Sequence, residues 1–331
     1  MPCPVPPISF WLAALPLLLG MACQPAAPEP LQTNFYHWES TLVLDSTARQ
    51  MLEETGSTRL YVKAFDVAWE NGRAEPTALL TARDSAGLPP LIPVVFLTNE
   101  VLQQLPASEI PRLAQDILRL LDRILAPGYA ELQMDCDWTA RTQVQYFALL
   151  RAVEELRPGL LLTCTVRLHQ YRDRSSQGIP PVRRATLMAY NTGDLDDWAT
   201  ENSILDTNIL KGYLAGQPAY PLPLDLAVAV YDWAAVYRQD QLVYLLNEPD
   251  LTQLADTSRF VRLSPTRYAV KSSTYLGGLY LYRGDLLRYE ALSPASLVSQ
   301  TALLRRYVAS FPGQQQLIFR IGSRQWRKPP E

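Results

Sequence analysis

From residue 33 the chain alternates short apolar runs of strand character with helical stretches, and that order of elements admits few folds. Strand candidates lie at 34–38, 59–67, 91–97, 131–138, 160–169, 185–191, 224–233 and 316–321. Between them fall helical patterns such as DSTARQMLEETG (45–56), with Asp45 or Ser46 as cap and Gly56 as stop, and SEIPRLAQDILRLLDRIL (108–125). Further helices are expected in TQVQYFALLRAVEELRPG (142–159) and SPASLVSQTALLRRYVAS (293–310). Strands separated by helices imply right-handed crossovers and a parallel sheet. Eight such units in a chain of 331 residues predict an α/β protein, a (β/α)8 TIM-like barrel. The competing doubly wound sheet would place a glycine-rich phosphate loop after an early strand, and none is present. One segment, 260–291, breaks the alternation. Its period-2 pattern and its turn pairs Ser264-Pro265, Gly277-Gly278 and Arg283-Gly284 predict a β-hairpin or small sheet inserted between strand 7 and the last helix.

The first 31 residues stand apart from this pattern. Ile8 to Met21 is an apolar run of signal-peptide length, interrupted by Pro16 and too short for a spanning helix. It ends in GMAC, followed by the Pro/Ala-rich QPAAPEP. This pattern resembles the lipobox of bacterial lipoproteins, which implies cleavage of a signal peptide 1–22, lipidation of Cys23 and a short tether over 23–31. Gly20 stands where the motif usually has leucine, and no Lys or Arg precedes the apolar run. Cleavage without lipid is the plainer alternative. The expected location is the bacterial cell envelope, with the barrel over 32–325 held at a membrane, periplasmic or outer, and a tail at 326–331.

The formal net charge of -3, with no basic run, gives no reason to expect nucleic acid. A monomer is expected. Of the four cysteines, Cys136 and Cys164 fall on apolar strand faces, where a free thiol packs as a small hydrophobe. No paired His-x-His or zinc spacing occurs, and neither metal nor cofactor is expected.

The segment LQMDCDWT (132–139) raises a physical problem. In a strand Leu132, Met134, Cys136 and Trp138 point one way, while Gln133, Asp135, Asp137 and Thr139 point the other. Carboxylates do not face a barrel interior without partners, because desolvating them costs several kcal/mol. Barrel enzymes carry their functional groups at the C-terminal strand ends. Read for those ends, the chain offers His37, Trp38 and Glu39; Lys63, Asp66, Trp69 and Glu70; Asn99 and Glu100; Asp135, Asp137 and Trp138; Arg167 and His169; Tyr190 and Asn191; Asp232, Trp233 and Arg238; and Arg320. Both histidines and four of the seven tryptophans are among them. Aromatic rings beside carboxylates and amides suit a sugar, whose C–H faces stack while its hydroxyls hydrogen-bond. On the plainer view, Trp38 and Trp233 cap the core, the histidines are structural, and Lys63, Asp135 and Arg167 form a neutralising network.

At DCDWT and LMAYN the sequence resembles the chitinase-like glycoside hydrolases of family 18, whose fourth strand carries D-x-x-D-x-D-x-E and whose sixth carries M-x-Y-D. The match sets Asp135 and Asp137 on the last two aspartates and Met188, Tyr190 and Asn191 on the second motif. It sets Thr139 where the family has its catalytic glutamate and Leu132 where it has the first aspartate. More of the chain, from NFYHW to YPLPLDLAV, resembles an uncharacterised group of bacterial envelope lipoproteins with a hydrolase-like barrel, which implies a location and a fold but no activity. Together these imply a glycoside hydrolase-like lipoprotein acting on or binding carbohydrate, or a non-catalytic barrel that binds glycan or protein. For hydrolysis the candidate acid or nucleophile is Asp137, oriented by Asp135, with Asp232 or Glu39 across the cleft. His37, Trp38, Asp66, Trp138, Arg167, His169, Tyr190, Asn191 and Trp233 are the candidate substrate contacts.

Cys23→Ser is expected to abolish incorporation of a lipid label and to release the protein from membranes in a bacterial host. A wild type that takes up no label would leave Cys23 outside any lipobox.

Overall fold

The computed structural model of the protein describes residues 31–82, 86–125 and 128–327, together with Met1. The expected signal peptide, the expected lipidation site Cys23 and the expected tether up to residue 30 lie outside the described residues, as do the last four residues, 328–331.

Eight parallel strands close into a ring: β1 (Gln32–His37), β2 (Leu60–Glu70), β3 (Leu91–Leu97), β4 (Glu131–Cys136), β5 (Leu161–Arg167), β6 (Arg184–Met188), β7 (Leu224–Ala229) and β8 (Gln315–Phe319). Each pairs with the next, and β1 pairs with both β2 and β8, so the predicted (β/α)8 barrel is the observed fold. The helices between the strands bury one face each. The helix Ile110–Leu125 turns Ile110, Leu113, Ala114, Ile117, Leu118 and Leu121 to the barrel at helical spacing. Ser46–Glu54 starts where expected, with the Asp45 carboxylate accepting from the Ala48 N–H at 2.8 Å.

Three of the differences from the expected strand boundaries bear on the site. Strand 5 ends at Arg167 rather than residue 169, because Leu168–Arg172 is a helix whose Gln170 side chain accepts from the Arg167 N–H at 2.7 Å. Strand 2 runs on past the barrel to Glu70, where Asn71 (φ 52°) and Gly72 (φ 77°) turn it into a hairpin with Arg73–Thr77. An Asn-Gly pair suits such a turn because both of its central residues need positive φ. Strand 7 stops at Ala229, and Asp232 begins a separate antiparallel strand, Asp232–Arg238. That strand belongs to the inserted five-stranded sheet, where it lies between Gln241–Asn247 at the edge and the central Leu286–Ala291, with Arg267–Val270 and Phe260–Arg262 beyond. The insertion therefore starts about the end of β7, earlier than the 260–291 expected from turn residues. The Thr274–Leu276 and Leu279–Leu281 hairpin packs Leu276 and Leu281 beneath it. At the far end of the chain, Trp326 does not trail away but meets Phe35 edge to face, with ring centroids 5.6 Å apart.

Inside the ring, β4 presents a column of polar side chains, Glu131, Gln133 and Asp135, each at most 2% exposed. At the bottom, Glu131 accepts from the Tyr61 hydroxyl (3.0 Å), the Thr163 hydroxyl (3.1 Å) and Arg59 (2.7 Å), and Arg184 lies 3.5 Å away. Arg184 also pairs with Asp225 at 3.1 Å. One layer up, the Tyr36 hydroxyl donates to Gln133 at 2.6 Å, and Gln133 donates to Thr186 at 3.1 Å. The opposite face of the same strand is apolar. Leu132, Met134 and Cys136 pack under the helices, and Trp138 joins them, stacked on Tyr146 at 5.1 Å with its indole N–H donating to the Gln177 carbonyl.

Two outcomes are expected. Trp138→Ala should lower stability by about 3–5 kcal/mol in denaturant unfolding, the scale of emptying an aromatic core position; a loss below 1 kcal/mol would contradict its place in the core. Burial pushes the Asp225 carboxyl up from 3.8 to about 6, against the pull of Arg184. The folded form then holds this proton more tightly than the unfolded chain, so its stabilisation is full below the unfolded value and is lost as pH rises through about 6. Measured against Asp225→Asn, the wild-type unfolding midpoint should fall across that window. A pH-independent difference would remove this assignment.

Candidate functional site

The column on β4 ends in Asp135, which forms the floor of a cleft of about 330 Å³ at the C-terminal ends of the strands. The cleft is bounded by Trp38, Glu39, Arg167, Tyr190, Asn191, Tyr231, Asp232, Trp233, Asn247, Phe319 and Arg320 as well. Asp135 is 1% exposed; the Thr165 hydroxyl donates to its Oδ1 at 2.5 Å, while its Oδ2 has no hydrogen-bond partner among the described residues. Burial raises the pKa of this carboxyl, only partly opposed by Arg167, whose guanidinium lies 3.9 Å away. The same guanidinium donates from Nε to Asp137, which sits at the rim and is half exposed. Arg167 thus bridges a buried and an exposed carboxylate. Gln170 fixes the backbone where that arginine leaves the strand, by the contact that ends β5.

Across the cleft the pattern repeats. Asp232, 1% exposed, is held in bidentate fashion by Arg324. Glu39 pairs with Arg320, which also reaches Glu248 at 3.0 Å. Glu248 has φ 48° and accepts the Arg324 N–H at 3.1 Å. A left-handed glutamate is costly backbone, maintained here by the two arginines that share its carboxylate and its neighbourhood. The walls are aromatic. Tyr190 stacks on Phe319 at 5.4 Å, Tyr231 meets Phe319 and Trp233 edge to face, and Trp38 lies 5.8 Å from Phe319. Burial raises the Tyr190 phenol, whose buried hydroxyl has no hydrogen-bond partner among the described residues. Asn191, at φ 55°, accepts from the Tyr231 hydroxyl.

The sequence-predicted site residues therefore divide. Trp38, Glu39, Asp135, Arg167, Tyr190, Asn191, Asp232 and Trp233 come together around one cleft. Trp138 does not; it is fully buried against the helix layer, as the alternation that groups it with Cys136 requires. His37 falls with Phe35 on the outer face of β1, where burial lowers its pKa and its Nδ1 has no hydrogen-bond partner among the described residues. His169 belongs to the helix after β5, also with a pKa lowered by burial, and does not border the cleft. Asp66 pairs with Lys63 at 3.0 Å, so Lys63 balances Asp66 rather than Asp135. Asp137 stands on the rim beside the cleft. Thr139 belongs to the turn before the next helix, where its N–H donates to Thr142 at 3.0 Å.

Sequence reasoning missed Tyr231, Asn247, Phe319, Glu248 and Arg324. Tyr231 and Phe319 lie inside strand runs already identified and could have been found by reading parity to the end. Arg324 follows the last strand and carries no pattern signal. Among the described residues, no group of three or more His, Cys, Asp and Glu side chains is placed to hold a metal ion.

No family model and no curated protein matches the sequence. Solved structures do. A chitinase from Chromobacterium violaceum superposes with a TM-score of 0.50 at 11% identity, covering 90% of this chain and 97% of that one. The spore cortex-lytic enzyme SleL of Bacillus cereus gives 0.49 at 14% identity over 90% of this chain and 73% of that one, and a chitinase from Bacteroides thetaiotaomicron gives 0.48 at 11% over 88% and 90%. At such identities the likeness is one of fold: the chain is built on the same (β/α)8 barrel as the Chromobacterium chitinase.

Proposed function

We propose that the cleft binds a carbohydrate chain and does so without the acid catalysis of a glycoside hydrolase. The carrying observation is the composition of one cleft: the rings of Trp38, Tyr190, Tyr231, Trp233 and Phe319 beside Arg167, Asn191 and Asn247. Sugar C–H faces stack on such rings, and the amide, phenol and guanidinium groups meet hydroxyls. The names of the barrel's structural neighbours, chitinases among them, agree with that ligand class.

Catalysis is disfavoured by the arginines. A general acid must carry a proton at working pH and reach the leaving oxygen. Asp137, Asp232 and Glu39 are each ion-paired to an arginine, and the position that the family resemblance reserves for glutamate is Thr139. Burial raises the pKa of Asp135, which lies at the buried floor. That shift is the one observation favouring the second reading, hydrolysis with Asp135 as acid and Asp137 beside it. The GMAC motif supports the further proposal that the barrel is a lipoprotein held at the bacterial envelope through Cys23.

Trp38→Ala and Trp233→Ala should each weaken binding to the recognised glycan by about 1–3 kcal/mol in titration calorimetry, with the wild type giving no reducing-end release on a panel of envelope and plant polysaccharides. Turnover abolished by Asp135→Asn or Asp137→Asn would establish the hydrolase instead. Binding unaffected by both tryptophan substitutions would place the ligand elsewhere.

A further inference from the structure

The insertion contains a fully buried ion pair that no part of the cleft chemistry uses. Arg288 and Glu290, at most 1% exposed, stand two residues apart on one face of the strand Leu286–Ala291. Glu290 does more than neutralise its neighbour. Its Oε2 accepts from the Trp233 indole N–H at 2.9 Å, from the Ser203 N–H at 2.8 Å and from the Ser203 hydroxyl. Arg288 donates to the carbonyls of Asp197 and Leu195 and lies over the Tyr237 ring at 5.2 Å. Ser203, Asp197 and Leu195 all belong to the segment 192–206 that follows β6. This segment folds back on its own start: Asn191 N–H donates to the Ile204 carbonyl at 2.7 Å, and Gly193 N–H to the Ser203 carbonyl at 3.1 Å. Asn191 is a cleft residue at one end of that segment, and Trp233 is a cleft residue on the insertion.

We infer that Glu290 is a positioning residue of the cleft: its one buried carboxylate sets the Trp233 indole and ties it to the 192–206 segment, so that two cleft walls from different elements keep a single geometry. This rests on the carbohydrate reading for its functional consequence, though not for the contact itself. A buried carboxylate has strong reason to keep every donor it has, because losing one leaves desolvated charge without compensation. The indole plane is thereby fixed before any ligand arrives, which lowers the ordering cost of stacking a sugar on it.

Replacing Glu290 would strand Arg288, so the test uses its donors. Ser203 does not border the cleft, and Ser203→Ala deletes one donor to Glu290 while leaving the ion pair; Trp233→Phe deletes the indole N–H and keeps a ring. Two measurements are made on the full chain of the wild type, both single variants and the double variant. The first is the Trp233 indole N–H resonance by nitrogen-15 NMR, assigned by its absence in Trp233→Phe. The second is affinity for the glycan found to bind. Ser203→Ala should shift that resonance and weaken binding about threefold to tenfold, the scale of one net hydrogen bond, and the loss should largely vanish in the Trp233→Phe background. An unmoved resonance, or an equal loss in both backgrounds, overturns the positioning role. If no glycan binds the wild type, the carbohydrate reading falls while the resonance alone still decides whether Glu290 links Ser203 to Trp233.

Discussion

The polar column of β4 is the constraint on which the rest of the molecule depends. Glu131, Gln133 and Asp135 point into a ring interior shielded from water, and each must find its partners from a different strand. Glu131 draws on Arg59, Tyr61, Thr163 and Arg184, and Asp135 on Thr165 and Arg167. Removing one partner of a buried charge costs several kcal/mol, so the arrangement tolerates little rearrangement. It also locks register. A slip of one residue in β4 would send the three polar groups into the apolar helix layer and Met134 and Cys136 into the polar interior.

The pairing of carboxylates with arginines extends upward into the cleft and shapes its chemistry, one guanidinium often serving two carboxylates. Asp137, Asp232 and Glu39 are each met by a guanidinium, and two of those arginines, Arg320 and Arg324, converge on Glu248. Such pairing makes a rigid, charge-balanced rim with directional hydrogen-bond donors. It is a surface suited to holding a neutral polar ligand in one orientation. A proton donor for bond cleavage would need the opposite, a carboxyl left without its cation.

Much of this was legible in the sequence, and the failures have identifiable causes. The ring of eight strands follows from the alternation of elements, and two aspartates in LQMDCDWT correctly signalled a polar interior. Trp138 stands at a strand end, as cleft residues do, but the alternation that sets it with Cys136 turns it to the helix side. His169 was lost to a local capping contact between Arg167 and Gln170 that overrides strand character. The early start of the insertion was hidden because LDLAVAVYDW reads as one continuous strand, whereas the chain leaves the ring after Ala229. Arg324 and Glu290 act through tertiary pairings that no local pattern encodes. Even so, two opposite charges on the buried face of LLRYEA were a signal available to be read.

The closure of the ring has a consequence for how the chain reaches this state. Strand β1 is the first barrel segment to be synthesised and pairs with β8, the last. The inserted sheet between β7 and β8, by contrast, contains hairpins of near neighbours, joined by the pairing of its first strand, Asp232–Arg238, with its last, Leu286–Ala291. Local pairings form fast, and pairings between distant segments wait on loop closure. These hairpins can therefore form early, while the two lips of the barrel sheet stay open, with unpaired strand edges exposed to other chains, until the final strand is delivered. Folding yield in this protein then depends on how long that open sheet persists, which makes the β1–β8 seam, far from the cleft floor in purpose though adjacent in space, the place where aggregation competes with the native state.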